Sequence, residues 1–169
     1  MRRVLVVGMS GAGKTTAARR VGAKLGLPVH EMDALALGAN WSQPPGLVDE
    51  IKRITAEPAW IFDSWGYPAV RDIMWQSADT ILWLDYPAQV VLPRLIRRSV
   101  IRTATNAEVF GGNRETLREW LRPEHPVWSA VATFRGRRAY LFDRTARSPQ
   151  YRTVRFTTKR EFERWYELL

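Results

Sequence analysis

The chain has 169 residues, enough for one domain with a proper core, and its 46% hydrophobic and 25% charged residues are the balance of a soluble globular protein. No apolar run approaches the ~20 residues that span a bilayer, and the apolar start is too short for a signal peptide. With no cysteine, disulfides and thiolate metal sites are excluded, and together these features point to the cytoplasm.

The charge is more open to interpretation. The net value is +9, and 22 of the 26 basic residues are arginine, most of them after residue 93. This suits a phosphate-rich ligand or nucleic acid, and equally a composition that prefers arginine to lysine throughout.

Val4 to Val7 are apolar and mostly β-branched, and read as a buried strand. The next eight residues, Gly8-Met9-Ser10-Gly11-Ala12-Gly13-Lys14-Thr15, match the Walker A phosphate-binding spacing, with a strand before and a helix after. The glycines let the backbone turn N–H groups onto a polyphosphate, and the following helix adds its positive end. Lys14 is a point charge for the outer phosphates, and the Thr15 hydroxyl is a ligand for Mg²⁺. The nucleotide-binding set is therefore Gly8, Met9, Ser10, Gly11, Ala12, Gly13, Lys14, Thr15 and Thr16.

A helix from about Lys14 to Leu25 stops at Gly26, and Pro28 to Met32 reads as a second strand ending at Asp33. Residues 34–46 form an irregular loop and Leu47 to Ala56 a helix. Trp60 to Phe62 is a third strand ending at Asp63. Ser64 to Tyr67 is a turn, with Pro68 in the first position of a short helix to Ser77. Thr80 to Leu84 is a fourth strand ending at Asp85. Tyr86-Pro87 opens a helix in which Pro93 implies a late start or a kink. Residues 103–113 read as a mobile loop, with helical pieces at about 114–121 and 126–147 and Pro149 as the stop. Thr153 to Phe156 is a fifth strand, and Lys159 to Leu169 a final amphipathic helix. Alternating strands and helices imply a parallel sheet covered on both faces.

In such a sheet ligands sit beyond the carboxyl ends of the strands. Asp33, Asp63 and Asp85 end strands there, either as helix caps or as groups serving Mg²⁺ or a phosphoryl acceptor. Asp85 is expected to cap the helix after Pro87. Arg94, Arg97, Arg98 and Arg102 recur every three or four residues, as do Arg114, Arg118 and Arg122 beyond the loop. These are two basic stripes flanking a Gly111-Gly112 hinge, or a solvated face. Trp41 and Trp65 lie where an acceptor would stack. Arg71 would hold an acceptor anion or pair with Asp72 or Asp79. Trp60, Trp83 and Trp165 fit core packing, and His30 and His125 carry no assigned chemistry.

The order of motifs resembles the adenylate kinase-type P-loop fold shared with shikimate and gluconate kinases. The closer resemblance is to small bacterial P-loop proteins labelled adenylate kinase-like or "DNA topology modulation protein". It rests on Gly8 to Thr15, Asp33-Ala-Leu35, Asp63-Ser-Trp-Gly-Tyr67, Leu84-Asp-Tyr-Pro87, Arg97-Arg98 and Gly112-Asn-Arg-Glu115. It implies a single α/β domain over residues 1–169, a three-layer P-loop NTPase fold of about five parallel strands with an arginine-rich lid at about 97–125. It implies that Asp63 holds Mg²⁺ through water and that Asp33 faces the acceptor as general base or orienting group. It also implies that Arg97, Arg98 and Arg114 close over ATP, where an arginine adds roughly 10³–10⁵ in rate. Thr157, Thr158 and Arg160 would frame adenine. The expected activity is Mg²⁺-dependent transfer of the ATP γ-phosphate to a nucleotide, nucleoside or other small molecule. Catalysis would fall to Lys14, Asp33 and the lid arginines, and acceptor binding to Asp33, Trp41, Trp65 and Arg71. The alternative is a regulatory ATPase or nucleotide-dependent DNA-binding protein.

Overall fold

Short β-branched and aromatic runs pair into one parallel sheet. In the computed structural model, which describes residues 1–122, 125–147 and 150–169, the strands are β1 (Arg3–Gly8), β2 (Val29–His30), β3 (Trp60–Phe62), β4 (Thr80–Leu84) and β5 (Arg152–Phe156). Their spatial order is β2-β3-β1-β4-β5, and every pairing is parallel. The helices are α1 (Lys14–Leu25), α2 (Met32–Ala36), α3 (Leu47–Ala56), α4 (Arg71–Ser77), α5 (Ala88–Ala104), α6 (Pro126–Arg147) and α7 (Lys159–Glu167).

Side chains alternate across the central strand, so consecutive apolar residues feed two cores. Leu5 and Val7, with Trp60, Phe62 and Trp83, pack on α3 and α4 through Ile51, Ile54, Met74 and Trp75. Val4 and Val6, with Ile61 and Leu82, pack on α1 and α7 through Ala18, Val21 and Phe162. Val4 to Val7 are all fully buried, as a central strand covered on both faces requires. A third, smaller cluster of Leu95, Val127 and Ala130 joins α5 to α6.

Several local expectations change. The second strand is only Val29–His30, and Asp33 lies in the first turn of α2 rather than at a strand end. The cause is tertiary: Asp63 Oδ1 accepts the Met32 N–H at 2.9 Å and so caps a helix the sequence reads as strand and loop. Pro68 does not open α4. The Tyr67 carbonyl accepts from the N–H groups of Val70 and Arg71, and the helix begins after that turn. Pro93 does not delay the start of α5, which runs through it from Ala88; the bond Pro93 cannot donate is the one to Gln89, in the second turn.

The expected helix at 114–121 is absent. Residues 105–122 are irregular, with 3₁₀ turns at Phe110–Gly112 and Glu119–Leu121 and a single antiparallel bridge between Glu108 and Arg114. Arg114, Arg118 and Arg122 therefore do not share a helical face. Pro149, read as a stop, lies outside the described residues.

Candidate active site

The topology places β3 directly beside β1, so the loop after β1 meets the residue after β3. Thr15 Oγ1 donates to Asp63 Oδ2 at 2.5 Å, and Asp63 is only 9% exposed. In the loop, Gly11 has φ +88°, and a Cβ there would stand 2.3 Å from the Val91 carbonyl oxygen of α5. Glycine is thus required both for the turn and for close approach to α5. Lys14 Nζ donates to the Met9 carbonyl at 3.2 Å, which folds the ammonium back over the loop. Withdrawal from water holds Lys14 below the usual lysine range; Asp63 and Asp33 oppose this, while Arg98 and Arg137 add to it.

A cleft of about 700 Å³ opens over the loop. It is lined by Gly8, Ser10, Gly11, Gly13, Lys14, Thr15 and Thr16 from the loop, and by Asp63. Across it stand Asp33, Trp41, Trp65, Tyr67 and Arg71. Asp33 Oδ1 accepts from the Tyr67 hydroxyl at 3.0 Å. Burial, and then the negative charge of Asp33, push the Tyr67 phenol above its ordinary value, so it remains a donor. Arg71 pairs with neither Asp72 nor Asp79. Asp72 accepts from Arg144 at 2.7 Å, and Asp79 accepts the main-chain N–H groups of Arg2 and Arg3. Arg71 instead lies over the Trp65 ring, 4.3 Å from its centroid.

On the third side, α5 contributes Arg94, Arg98 and Arg102. Arg98 is drawn below its usual range by burial and by Arg102. Arg97 is exposed and does not line the cleft. Arg114 is outside it too, and faces Glu108 at 3.8 Å. Of the three lid arginines expected from sequence, only Arg98 is brought to the site.

Residues 105–122, the irregular part of the expected lid, are fastened to the opposite wall. Asn113, 7% exposed, donates from Nδ2 to the Gly38 carbonyl at 2.8 Å and accepts the Trp41 N–H at 3.1 Å. Trp41 Nε1 donates to Glu119 Oε1 at 3.0 Å, and Glu115 accepts from Arg102 at 3.0 Å. Gly111, read as part of a hinge, is a contact point: a Cβ there would meet the Gly38 backbone at 2.5 Å. Trp41 itself has φ +60°, a left-handed conformation held by these bonds. His125 is buried behind the lid, stacked on Trp120 at 4.5 Å, with Nε2 4.0 Å from Glu115.

Asp85 is not a helix cap. It is buried and accepts from Arg138 Nε at 2.8 Å and Arg155 Nε at 2.9 Å, tying β4 to β5 and α6. Thr157 and Thr158 do not line the cleft. Thr158 Oγ1 accepts the Glu161 N–H, and Glu161 accepts from Thr157, a capping arrangement at the start of α7. Sequence reasoning missed Arg137, which α6 carries into the cleft, and the pairing of Tyr67 with Asp33. Tyr67 was visible in the Asp63-to-Tyr67 motif. Arg137 had no signal beyond being one of many arginines.

Solved structures share this architecture over nearly the whole chain. A shikimate kinase from Acinetobacter baumannii in complex with shikimate superposes with TM-score 0.59 at 16% identity, covering 99% of this chain and 92% of that one. A gluconokinase from Sinorhizobium meliloti 1021 gives TM-score 0.53 at 16% identity, over 98% and 89%. A sugar kinase from Janibacter sp. HTCC2649 gives 0.52 at 21%, over 99% and 91%. The chain has the P-loop kinase fold. No family model and no curated protein matches it. Among the described residues, no helix is long and apolar enough to cross a membrane.

Proposed function

We propose that this chain is a Mg²⁺-dependent phosphotransferase that moves the γ-phosphate of ATP to a small-molecule acceptor. The observation that carries this reading is that one cleft joins a phosphate loop, with Thr15 and Asp63 in contact, to a carboxylate on the facing wall, Asp33. A loop that only bound nucleotide would need no second wall of this kind.

The residues fit a hard cation. Thr15 and Asp63 bring one neutral and one anionic oxygen together. No group of three His, Cys, Asp or Glu able to hold a metal exists among the described residues, so the rest of the shell would be phosphate and water, the habit of Mg²⁺. When bound, Mg²⁺ neutralises charge on the phosphates. Lys14, Arg94 and Arg98 hold the transferred group and meet the charge that develops on it. Asp33 takes the proton of an acceptor hydroxyl. Tyr67 occupies Oδ1 and thereby orients the carboxylate, which leaves Oδ2 for the proton. If the accepting group is itself a phosphate, Asp33 orients without acting as base. The resemblance to the "DNA topology modulation" proteins belongs to the same proposal, as does a cytoplasmic setting.

The test is a γ-phosphate transfer screen across hydroxylated acids, sugars, nucleosides and nucleotides, with hydrolysis in their absence as control. Hydrolysis that no acceptor stimulates overturns the reading. A second reading, nucleotide-dependent nucleic-acid binding, has one observation in its favour. Arg97 and Arg118 are exposed outside the cleft, with no carboxylate partner among the described residues. It requires DNA retention that weakens steeply with salt.

A further inference from the structure

Among the described residues eleven large hydrophobic side chains are exposed, and eight of them lie between 96 and 142. Single exposed apolar residues are ordinary, but their concentration in one stretch marks a surface that takes a partner. Several of them also share a side of the molecule. On α5 the buried stripe of Val91, Leu95 and Ser99 separates Arg94, Arg98 and Arg102, which line the cleft, from Ile96 and Val100, which do not. On α6 the buried Val127 and Ala130 separate Pro126 and Ser129 at the cleft from Trp128 and Val131. Successive helical residues are turned by about 100°, so each exposed pair flanks the α5–α6 seam on the side away from the cleft.

Trp120 extends this outer side onto the turn before α6. Its Nε1 donates to Thr103 Oγ1 of α5 at 2.9 Å, and its carbonyl accepts from Trp128 Nε1 of α6 at 2.7 Å. Leu117 and Leu121, 77% and 85% exposed, project from the chain on either side of it.

The unmatched charges of this stretch are of one sign. Arg97, Arg118 and Arg135 are exposed and have no carboxylate partner among the described residues. Every described acid between 88 and 147 is already engaged: Glu108 faces Arg114, Glu115 Arg102 and Asp143 Arg147, and Glu119 accepts from Trp41. A second copy of the chain would bring the same arginines against one another. Nucleic acid would take the arginines, but the aliphatic side chains gain nothing from a phosphate backbone. A helical peptide needs a groove to lie in, whereas Leu117 and Leu121 project.

We propose that the outer side of the α5–α6 pair is a docking surface for an anionic phospholipid bilayer. Leu117 and Leu121 enter the boundary between headgroups and acyl chains, as the apolar face of an interfacial helix does. Trp128 sits at headgroup level with its N–H already satisfied by Trp120, and the arginines bind lipid phosphates in bidentate fashion. The attachment is peripheral, by side chains alone. It leaves the cleft open to water, because Arg94, Arg98 and Arg102 face the other way. It goes beyond the phosphotransferase reading and does not depend on it.

The test is sedimentation of the full chain with vesicles of phosphatidylcholine alone and with vesicles containing about one-third phosphatidylglycerol. Binding is expected to the anionic vesicles and not to the neutral ones. L117Q/L121Q, which leaves the charge unchanged, should weaken the partition coefficient at least about tenfold. R118Q/R135Q should weaken it roughly 30-fold at low salt. If L117Q/L121Q fails to fold, V100Q/V131Q is expected to show the same loss as the leucine pair. No sedimentation with anionic vesicles, equal sedimentation with neutral ones, or a partition coefficient unchanged in the apolar variants overturns the proposal. A dimer in analytical ultracentrifugation that L117Q/L121Q converts to monomer also overturns it, by making the face an interface between copies. Binding of an acidic amphipathic helical peptide that anionic vesicles do not displace overturns it in favour of a protein partner.

Discussion

The glycine-rich loop after β1 takes its geometry from eight consecutive residues, whereas the opposite wall is gathered from α2, the 37–42 loop, the 63–71 turn, the lid and α6. On the first side one contact is local, Lys14 to Met9, and the others seat the loop on buried regular elements, Gly11 against Val91 of α5 and Thr15 on Asp63 at the end of β3. On the second the contacts are side-chain hydrogen bonds between irregular segments, Asn113 to Gly38 and Trp41 to Glu119. The difference has a physical consequence. A loop anchored between a central strand and a helix opens only with the core, while a wall held by side-chain hydrogen bonds opens locally at lower free energy.

Four measurements sharpen or break this contrast. The largest effect is expected on the loop. Lys14→Ala should lower γ-phosphate transfer by about 10²–10³-fold or more, by analogy with loss of one preorganised donor. Because the loop is held by its backbone, circular dichroism and melting temperature should stay close to wild type. Turnover equal to wild type would falsify the assignment of Lys14.

Next is the opposite wall. Asp33→Asn should reduce kcat by about 10²-fold if Asp33 acts as base on a hydroxyl, with the KM for ATP little changed. An unaltered kcat would instead limit Asp33 to orientation, as expected for a phosphate acceptor.

A smaller, local effect is expected at the fastening between lid and wall. Asn113→Ala leaves the Gly38 carbonyl and the Trp41 N–H without their partner, at a cost of about 1–3 kcal/mol if they stay dry. Hydrogen exchange should accelerate across 37–42 and 107–121 while the strands keep their protection. Uniform acceleration throughout the chain would show that the two sides open together and remove the contrast.

The smallest effect concerns pH. Burial holds the imidazoles of His125 and His30 below their ordinary value of 6.5. The unfolded chain then binds protons that the folded one refuses, so their contribution to stability is present above pH 6.5 and is lost as pH falls below it. The melting temperature should decline from pH 7 to pH 5.5, and His125→Gln should flatten part of that decline. A profile identical to wild type would remove His125 as the source.

Legibility in the sequence followed the same division. Helix α1, strands β3 and β4 and helix α3 fall where their periodicity, glycines and flanking turns place them, because those signals are local. Helix α2 and the lid were misread because their backbone partners come from elsewhere: Asp63 for Met32, and Gly38 and Trp41 for Asn113. The arginines divided likewise. Spacing of three and four identified the stripe on α5, but it could not say that Arg97 faces away while Arg94, Arg98 and Arg102 line the cleft. Asp85 had the same strand-end position as Asp63, yet its neighbours are two arginines instead of the glycine-rich loop, which makes it a tether.

The sequence by itself determined a glycine-rich loop between a buried strand and a helix, and the alternation that yields a parallel sheet. Both are written in adjacent residues, through glycine placement and hydrophobic periodicity. Only the tertiary structure decided which charges are matched and which are not. It paired Asp72 and Asp85 away from the cleft and left Arg71 and Arg137 together over Trp65. Charge neutrality is a property of neighbours in space, and no spacing along the chain encodes it.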